Sequence, residues 1–200
     1  RGNDANVFVV EARTGATPRA LTTFPGEDGG RPAFSPDGKW VAYLQGAEVG
    51  FTAYAQQKLA VVPVAGGPAR FLASSLDRPV DDPVLFTPDG KSLLFSVVDD
   101  RSQWIGKTPL AGGEVERLTT GPRVVQSLAQ GGRRLVVLAS TDAELPEVCA
   151  LEEGRLRRLT HENDEWLAGV RLGVPEELTS RSRDGAEVHG RVTKPAGSVA

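Results

Sequence analysis

Ser35-Pro36-Asp37-Gly38-Lys39 and Thr87-Pro88-Asp89-Gly90-Lys91 are two copies of one turn, placed 52 residues apart. Proline presets φ near about −65° at the first central position, aspartate bonds the local backbone, and glycine takes the left-handed conformation that a type I turn with a bulge requires. Each copy follows an apolar segment that opens with proline, Pro32-Ala33-Phe34 and Pro83-Val84-Leu85-Phe86. Each is followed by another, Trp40-Val41-Ala42-Tyr43-Leu44 and Ser92-Leu93-Leu94-Phe95-Ser96-Val97. A decayed third copy, Ala129-Gln130-Gly131-Gly132-Arg133, runs into Leu135-Val136-Val137-Leu138. One Pro-Asp-Gly turn is ordinary in any hairpin. Two in matching context argue for an internal repeat.

A second element repeats out of phase with the first. It is a short apolar strand, a glycine turn, and a strand closing in Leu-Thr or its equivalent. The copies are residues 7–10 with Gly15 and Leu21-Thr22, residues 59–64 with Gly66-Gly67 and Leu72-Ala73, Gly112-Gly113 with Leu118-Thr119, and residues 148–151 with Gly154 and Leu159-Thr160. The four leucines are spaced by 51, 46 and 41 residues. A drifting period of that size, with four short strands in each, is the signature of β-propeller blades. The chain has 23 valines and 13 threonines against one isoleucine, in apolar runs bounded by turn residues, which favours strands. Strands packed between neighbouring blades are covered on both faces, so runs such as Val61-Val62 and residues 135–138 are expected to be continuous rather than alternating. The fold class is therefore all-β, with about four propeller blades.

Three stretches depart from the repeat. Residues 45–58 (QGAEVGFTAYAQQK) lengthen the first interval and read as an insertion between blades that includes a helical turn. Residues 155–168 contain no glycine or proline, and Leu156, Leu159, Trp166 and Leu167 would share a helical face. The repeat nonetheless places residues 156–160 on a strand. After Val170 the pattern changes: residues 176–183 and 186–192 flank Arg183-Asp184-Gly185 as a hairpin with polar Glu187, His189 and Arg191, then Lys194-Pro195-Ala196-Gly197. Residues 1–170 are read as a partial propeller, and residues 171–200 as a linker and the first hairpin of a different unit.

Formal charges of 23 plus and 26 minus leave a net charge of −3, so no basic surplus recommends nucleic acid or an anionic membrane as partner. No run approaches the roughly 18 apolar residues of a spanning helix. The one cysteine, Cys149, excludes an internal disulfide and suits the cytoplasm. Methionine is absent, so the expectation is a processed chain or a part of a longer one.

The sequence has no Gly-x-Ser-x-Gly elbow, no His-Glu-x-x-His, no P-loop and no dinucleotide fingerprint. Its two histidines, His161 and His189, have no serine in a strained strand-to-helix turn. The acidic pairs Asp81-Asp82, Asp99-Asp100, Glu152-Glu153 and Glu176-Glu177 read as solvated loop charges, and Asn163-Asp164-Glu165 matches no calcium loop. Cys149 reads as a buried small apolar residue. Trp40 and Trp166 read as core anchors, Trp104 less so. No catalytic, cofactor-binding or metal-ligating residue is assigned in this chain, and no cofactor is expected.

The Ser-Pro-Asp-Gly-Lys turns resemble the propeller repeats of Tol-type periplasmic propellers and of the prolyl oligopeptidase family. Residues 158–167 (RLTHENDEWL), Pro175-Glu176-Glu177-Leu178, Ser182-Arg183-Asp184-Gly185-Ala186-Glu187-Val188-His189-Gly190 and Lys194-Pro195 are similar to the passage from last blade into hydrolase domain in acylaminoacyl peptidases of that family. The resemblance implies a seven- or eight-bladed propeller capping an α/β-hydrolase domain whose serine, aspartate and histidine lie after Ala200. The hairpin at residues 171–200 would then begin that domain. It implies short peptides, N-acylated ones among them, as substrates, and the chain's own downstream hydrolase domain as partner. Blade loops at residues 77–82 and 99–104 would line the route to the site. A homo-oligomer stays open. The competing expectation is a free-standing Tol-type propeller that binds other proteins.

Overall fold

A computed structural model of the chain describes residues 4–48, 50–51 and 55–197. Among them the polypeptide forms three four-stranded antiparallel sheets and two two-stranded ones. The first pair is β1 (Phe8–Val9) and β2 (Arg19–Ala20). The first full sheet runs β3 (Gly26–Phe34), β4 (Trp40–Glu48), β5 (Lys58–Pro63), β6 (Arg70–Phe71). The second runs β7 (Val80–Phe86), β8 (Ser92–Asp99), β9 (Ser102–Pro109), β10 (Glu116–Arg117), and the third β11 (Val124–Gly131), β12 (Arg134–Ser140), β13 (Glu147–Glu152), β14 (Arg155–Arg158). A short helix, α1 (Asp164–Ala168), and the hairpin β15 (Pro175–Arg181) and β16 (Glu187–Thr193) follow. The first strands lie side by side, β3 against β7 and β7 against β11, so the sheets stand as blades about a common edge. Of the four expected blade units, three are complete and the first contributes its two outer strands.

The repeated turns act as expected. Ser35 Oγ donates to Asp37 Oδ1 (2.6 Å), which also accepts the Lys39 N–H (3.1 Å), and the Trp40 N–H donates back to Ser35 Oγ (2.9 Å). Thr87, Asp89, Lys91 and Ser92 repeat the same set at 2.7, 3.0 and 3.0 Å. The Leu-Thr element also has a structural reason. The leucine N–H continues the pairing one residue past the outer strand, from Leu21 to Val7 O (2.8 Å), Leu72 to Leu59 O (2.9 Å), Leu118 to Ile105 O (2.8 Å) and Leu159 to Val148 O (2.7 Å). The threonine hydroxyl then accepts a backbone N–H that the ladder leaves over, from Val7 (2.9 Å), Ile105 (3.0 Å) and Val148 (2.9 Å). In the second unit Ala73 stands at this place, in the left-handed region at φ 54°.

The core lies between the sheets. Because successive side chains on a strand point to opposite faces, β4 sends Val41 and Tyr43 toward Val7 and Leu21, and Ala42 and Leu44 toward the second sheet. On β8, Leu93, Phe95 and Val97 face the first sheet while Leu94 faces Val125, Leu128 and Val137 of the third. Continuous apolar runs are the consequence of this double burial. On β12 only Leu135, Val137 and Ala139 are buried, and the intervening residues are half-buried.

The strand expected over residues 156–160 forms, and the expectations for Trp166 and Trp104 are corrected. Residues 155–168 divide: Leu156 pairs with Leu151 in the sheet, and the helix forms only from Asp164, where Asp164 and Glu165 in the first turn suit its positive end. Trp166 is 61% exposed, because this one-turn helix buries none of its residues against the blades. Trp104, by contrast, is 7% exposed; it sits on β9 between sheets, donates Nε1–H to Asp99 Oδ2 (3.2 Å) and carries the Arg117 guanidinium 4.8 Å from its ring. Trp40 is half-buried under Arg70, 4.5 Å away. Of the expected insertion, residues 45–48 continue β4, and the Ala55 N–H donates to Phe51 O (3.1 Å); residues 49 and 52–54 lie outside the described residues.

Candidate functional site

The candidate site is the end of the blades opposite the Pro-Asp-Gly turns, where the first strands begin. Antiparallel pairing of Val80 with Val97 brings the start of β7 to the β8–β9 turn. There Arg78 Nε donates to Asp99 Oδ1 (2.7 Å), so the loops at residues 77–82 and 99–104 share one end. All three first strands break register here, β3 twice, β7 between Asp81 and Leu85, and β11 between Val125 and Ser127. Such bulges re-aim side chains at a rim. The result is a polar edge: the Arg31 N–H of β3 donates to Asp82 Oδ2 of β7 (3.0 Å), and Gln103 Nε2 donates to Asp81 Oδ2 (3.2 Å). The blades approach so closely at this point that a β-carbon on Gly30, which stands at φ 78°, would fall 2.7 Å from the Asp82 carboxylate.

The far end of the same strands is apolar. Phe34 is 58% exposed there and Phe86 is 8% exposed, with Ala33, Leu85, Pro36 and Pro88 around a shallow cavity of about 320 Å³. The polar rim and the apolar patch therefore occupy opposite ends of one strand set.

The β15–β16 hairpin is seated on the polar end. His189 Nδ1 lies 2.7 Å from Asp100 Oδ2, Arg101 Nη1 donates to Gly190 O (3.0 Å), and Arg191 pairs with Asp142 in the loop between β12 and β13. Arg191 Nη2 is also 3.6 Å from Glu177. The hydrogen bonds from His189 and Arg101 hold the Asp100 carboxyl below its ordinary range, and Asp100 with Glu187 pushes the His189 imidazole above its own. The Asp99 carboxyl is likewise lowered, first by Arg78, then by Trp104 and Arg117.

Of the acidic pairs, Asp99, Asp100, Glu152, Glu176 and Glu177 each meet a basic side chain while staying partly exposed, and Asp81 and Asp82 accept from Gln103 and the Arg31 N–H instead. Glu152 holds Arg157 (2.7 Å), Glu176 holds Lys194 (3.0 Å), and Glu177 faces Arg101 and Arg191. His161 Nδ1 lies 2.9 Å from Asp164 Oδ2 on the exposed surface, far in sequence and in partners from His189. Among the described residues no three His, Cys, Asp or Glu side chains gather where they could share an ion. Cys149 is buried; burial pushes its thiol up, and its sulfur rests 3.7 Å from Glu147 O.

Two groups escaped the sequence reading. Glu147 is buried and its carboxylate gathers the passage after β14, accepting from Thr160, Arg158, the Asn163 N–H (3.0 Å) and Asn163 Nδ2 (3.1 Å). Those bonds, Thr160 foremost, hold its carboxyl down at about 2. Asp28 is also buried, burial pushes its carboxyl up, and neither oxygen has a hydrogen-bond partner among the described residues. Thr22 sits beside it but gives its hydroxyl proton to Asn6 Oδ1 (3.2 Å). Where Asp28 stands opposite Gln45, the next sheet has Val80 opposite Val97, so only an alignment of one sheet on the other would have marked it.

Fold and site together define an array of β-propeller blades that hands over to a hairpin seated on its polar rim. No protein-family model and no curated protein matches the sequence. Solved structures do. The chain is similar to an acylaminoacyl peptidase of Pyrococcus horikoshii, with a TM-score of 0.72 and 18% identity over 95% of this chain and 28% of that one. It is similar to TolB from Acinetobacter baumannii (TM-score 0.59, 16% identity, 94% of this chain and 46% of that one). It is also similar to the β-propeller domain of the Trilobed protease from Pyrococcus furiosus (0.56, 15%, 78% and 51%). The chain spans less than a third of the length of the acylaminoacyl peptidase.

Proposed function

We propose that the chain is the propeller region of a serine peptidase of acylaminoacyl-peptidase or oligopeptidase type. In this reading residues 171–200 open an α/β-hydrolase domain, and the serine, aspartate and histidine lie after residue 200. The propeller admits short peptides, N-acylated ones among them, and excludes folded proteins. The cytoplasm is its compartment, in keeping with one buried free thiol.

The observation that carries this reading is the hairpin on the polar rim. A free-standing propeller needs no foreign hairpin tied to its blade loops by His189, Arg101 and Arg191. The likeness to the acylaminoacyl peptidase, which covers residues of the blades and the hairpin alike at 95% of the chain, supports the same assignment. The likeness to TolB favours the competing reading of a protein-binding propeller.

The test is an assay of the full-length gene product on N-acetylated amino-acid nitroanilides and, separately, on a folded protein. The first is cleaved and the second spared. Equal cleavage of both overturns the size filter, and no cleavage of the nitroanilides overturns the acyl specificity. A gene product made only of further blades would support the competing reading.

A further inference from the structure

The β8–β9 turn is built of the wrong residues for its shape. Asp99 pairs with Ser102, so only Asp100 and Arg101 make the turn, and both lie in the left-handed region at φ 37° and 66°. Two-residue turns of that kind favour asparagine and glycine, because a β-carbon is strained there. Strain of this sort persists where surrounding contacts over-determine it. Both turn side chains are committed to the hairpin. Asp100 Oδ2 meets His189 Nδ1 at 2.7 Å, Arg101 Nη1 donates to Gly190 O at 3.0 Å, and Arg101 Nη2 lies 3.7 Å from Glu177 Oε1.

His189 is bounded by acceptors on both sides. Its Nε2 lies 2.8 Å from Glu187 Oε1, while Nδ1 faces Asp100. Ionised carboxylates only accept, and an imidazole donates from both nitrogens only when both are protonated. A neutral ring must therefore turn a lone pair toward one carboxylate at hydrogen-bond distance. The other charged groups around it are Arg101 on the turn, Glu177 and Arg191 on the hairpin, and Asp142, which takes Arg191.

We infer that the Asp100-Arg101 turn and the β15–β16 hairpin form a proton-dependent clasp, closed while His189 carries both protons and loosened when it gives one up. The inference concerns hairpin and blade alone and does not rest on the peptidase reading. The direction follows from linkage. The His189 imidazole is raised in the docked state, so its contribution is complete below the ordinary imidazole range and is lost as pH rises through the raised value. The Asp100 carboxyl is lowered, so its contribution is complete above the ordinary carboxylate range and is lost as pH falls through the lowered value. Docking is tightest between those limits. The Arg191–Asp142 contact does not involve His189, so the alkaline change is a local loosening and not a detachment.

A two-stranded hairpin alone is marginal in water, so the protection of its amides against hydrogen exchange reports its docking. The full chain is followed by hydrogen exchange at pH 5.5 and pH 9, each rate divided by the intrinsic rate at that pH. Protection over residues 187–193 falls by about two- to fivefold at pH 9, the size expected of losing one half-exposed ion pair, while β8 amides hold constant and serve as the folding control. In His189→Gln the pH response disappears. An unchanged ratio in the wild type, or a response that survives His189→Gln, overturns the clasp. Nitrogen NMR of the His189 ring gives a second readout without any variant: it titrates together with the loss of protection, and a midpoint at the ordinary imidazole value overturns the inference equally.

Discussion

At the scale of single residues, two glycines in the same left-handed conformation have unequal neighbours. Gly38 in the first turn has open space where a β-carbon would go, whereas Gly30 has the Asp82 carboxylate at 2.7 Å. Gly38→Ala is expected to cost about 1 kcal/mol, the left-handed penalty alone. Gly30→Ala costs about 1–2 kcal/mol more, because Asp82 must leave the Arg31 N–H. Urea unfolding of both variants checks this, and equal losses would mean that the approach of β3 to β7 is not tight. Asp28 offers the opposite sign. Among the described residues it is a buried carboxyl with Thr22 beside it and no hydrogen bond of its own, at a place where the next sheet has valine. Its folded carboxyl is raised, so its cost is absent at acid pH and appears as pH rises through and beyond the ordinary carboxylate range. Asp28→Val is expected to stabilise the protein at neutral pH by about 1–3 kcal/mol and to flatten that part of the pH profile. A destabilised Asp28→Val would show that the carboxylate has a partner. Sequence could not reveal either contact, because each depends on which residues a neighbouring sheet presents.

At the scale of elements, the outer strands are closed by a device that reads directly from the sequence. Leucine extends the ladder and threonine caps the N–H left over, as with Thr119 and the buried Ile105 N–H at 3.0 Å. Thr119→Val keeps the shape and removes the acceptor, so the stability loss is expected at about 1–3 kcal/mol by urea unfolding. A neutral Thr119→Val would mean that the Ile105 N–H finds another acceptor. The turn device proves broader than the two copies that first revealed it. Ser182, Asp184 and Ala186 use the same side-chain set in the hairpin, with Ala186 N–H to Asp184 Oδ1 at 3.3 Å. Local turn chemistry is blind to domain, which is why this hairpin could be located from its residues while its seat on the blades could not.

At the scale of the whole molecule, stability comes from faces that only neighbouring sheets cover. Cys149 on β13 packs with Leu94, Ile105 and Val137, partly from the second sheet and partly from its own. Its thiol is buried and raised by burial, so labelling by a thiol reagent must wait for the sheets to part. Native labelling is expected at least about a thousandfold slower than labelling in urea. Rapid native labelling would show that the third sheet does not hold its face against the second.

The sequence by itself determined the repeat, the hairpin turns, the strand closures and the change of pattern after Val170. Those features are local: they follow from φ preferences, from side chains that bond their own backbone, and from the alternation of a strand between two covered faces. Tertiary structure alone decided that Trp104 is buried and Trp166 exposed, that Asp99 and Glu176 find basic partners, that Glu147 gathers residues 158–163, and which end of the blades receives the hairpin. Burial and charge pairing depend on what another part of the chain brings within a few ångströms, and no local pattern encodes a neighbour that is 89 residues away, as His189 is from Asp100.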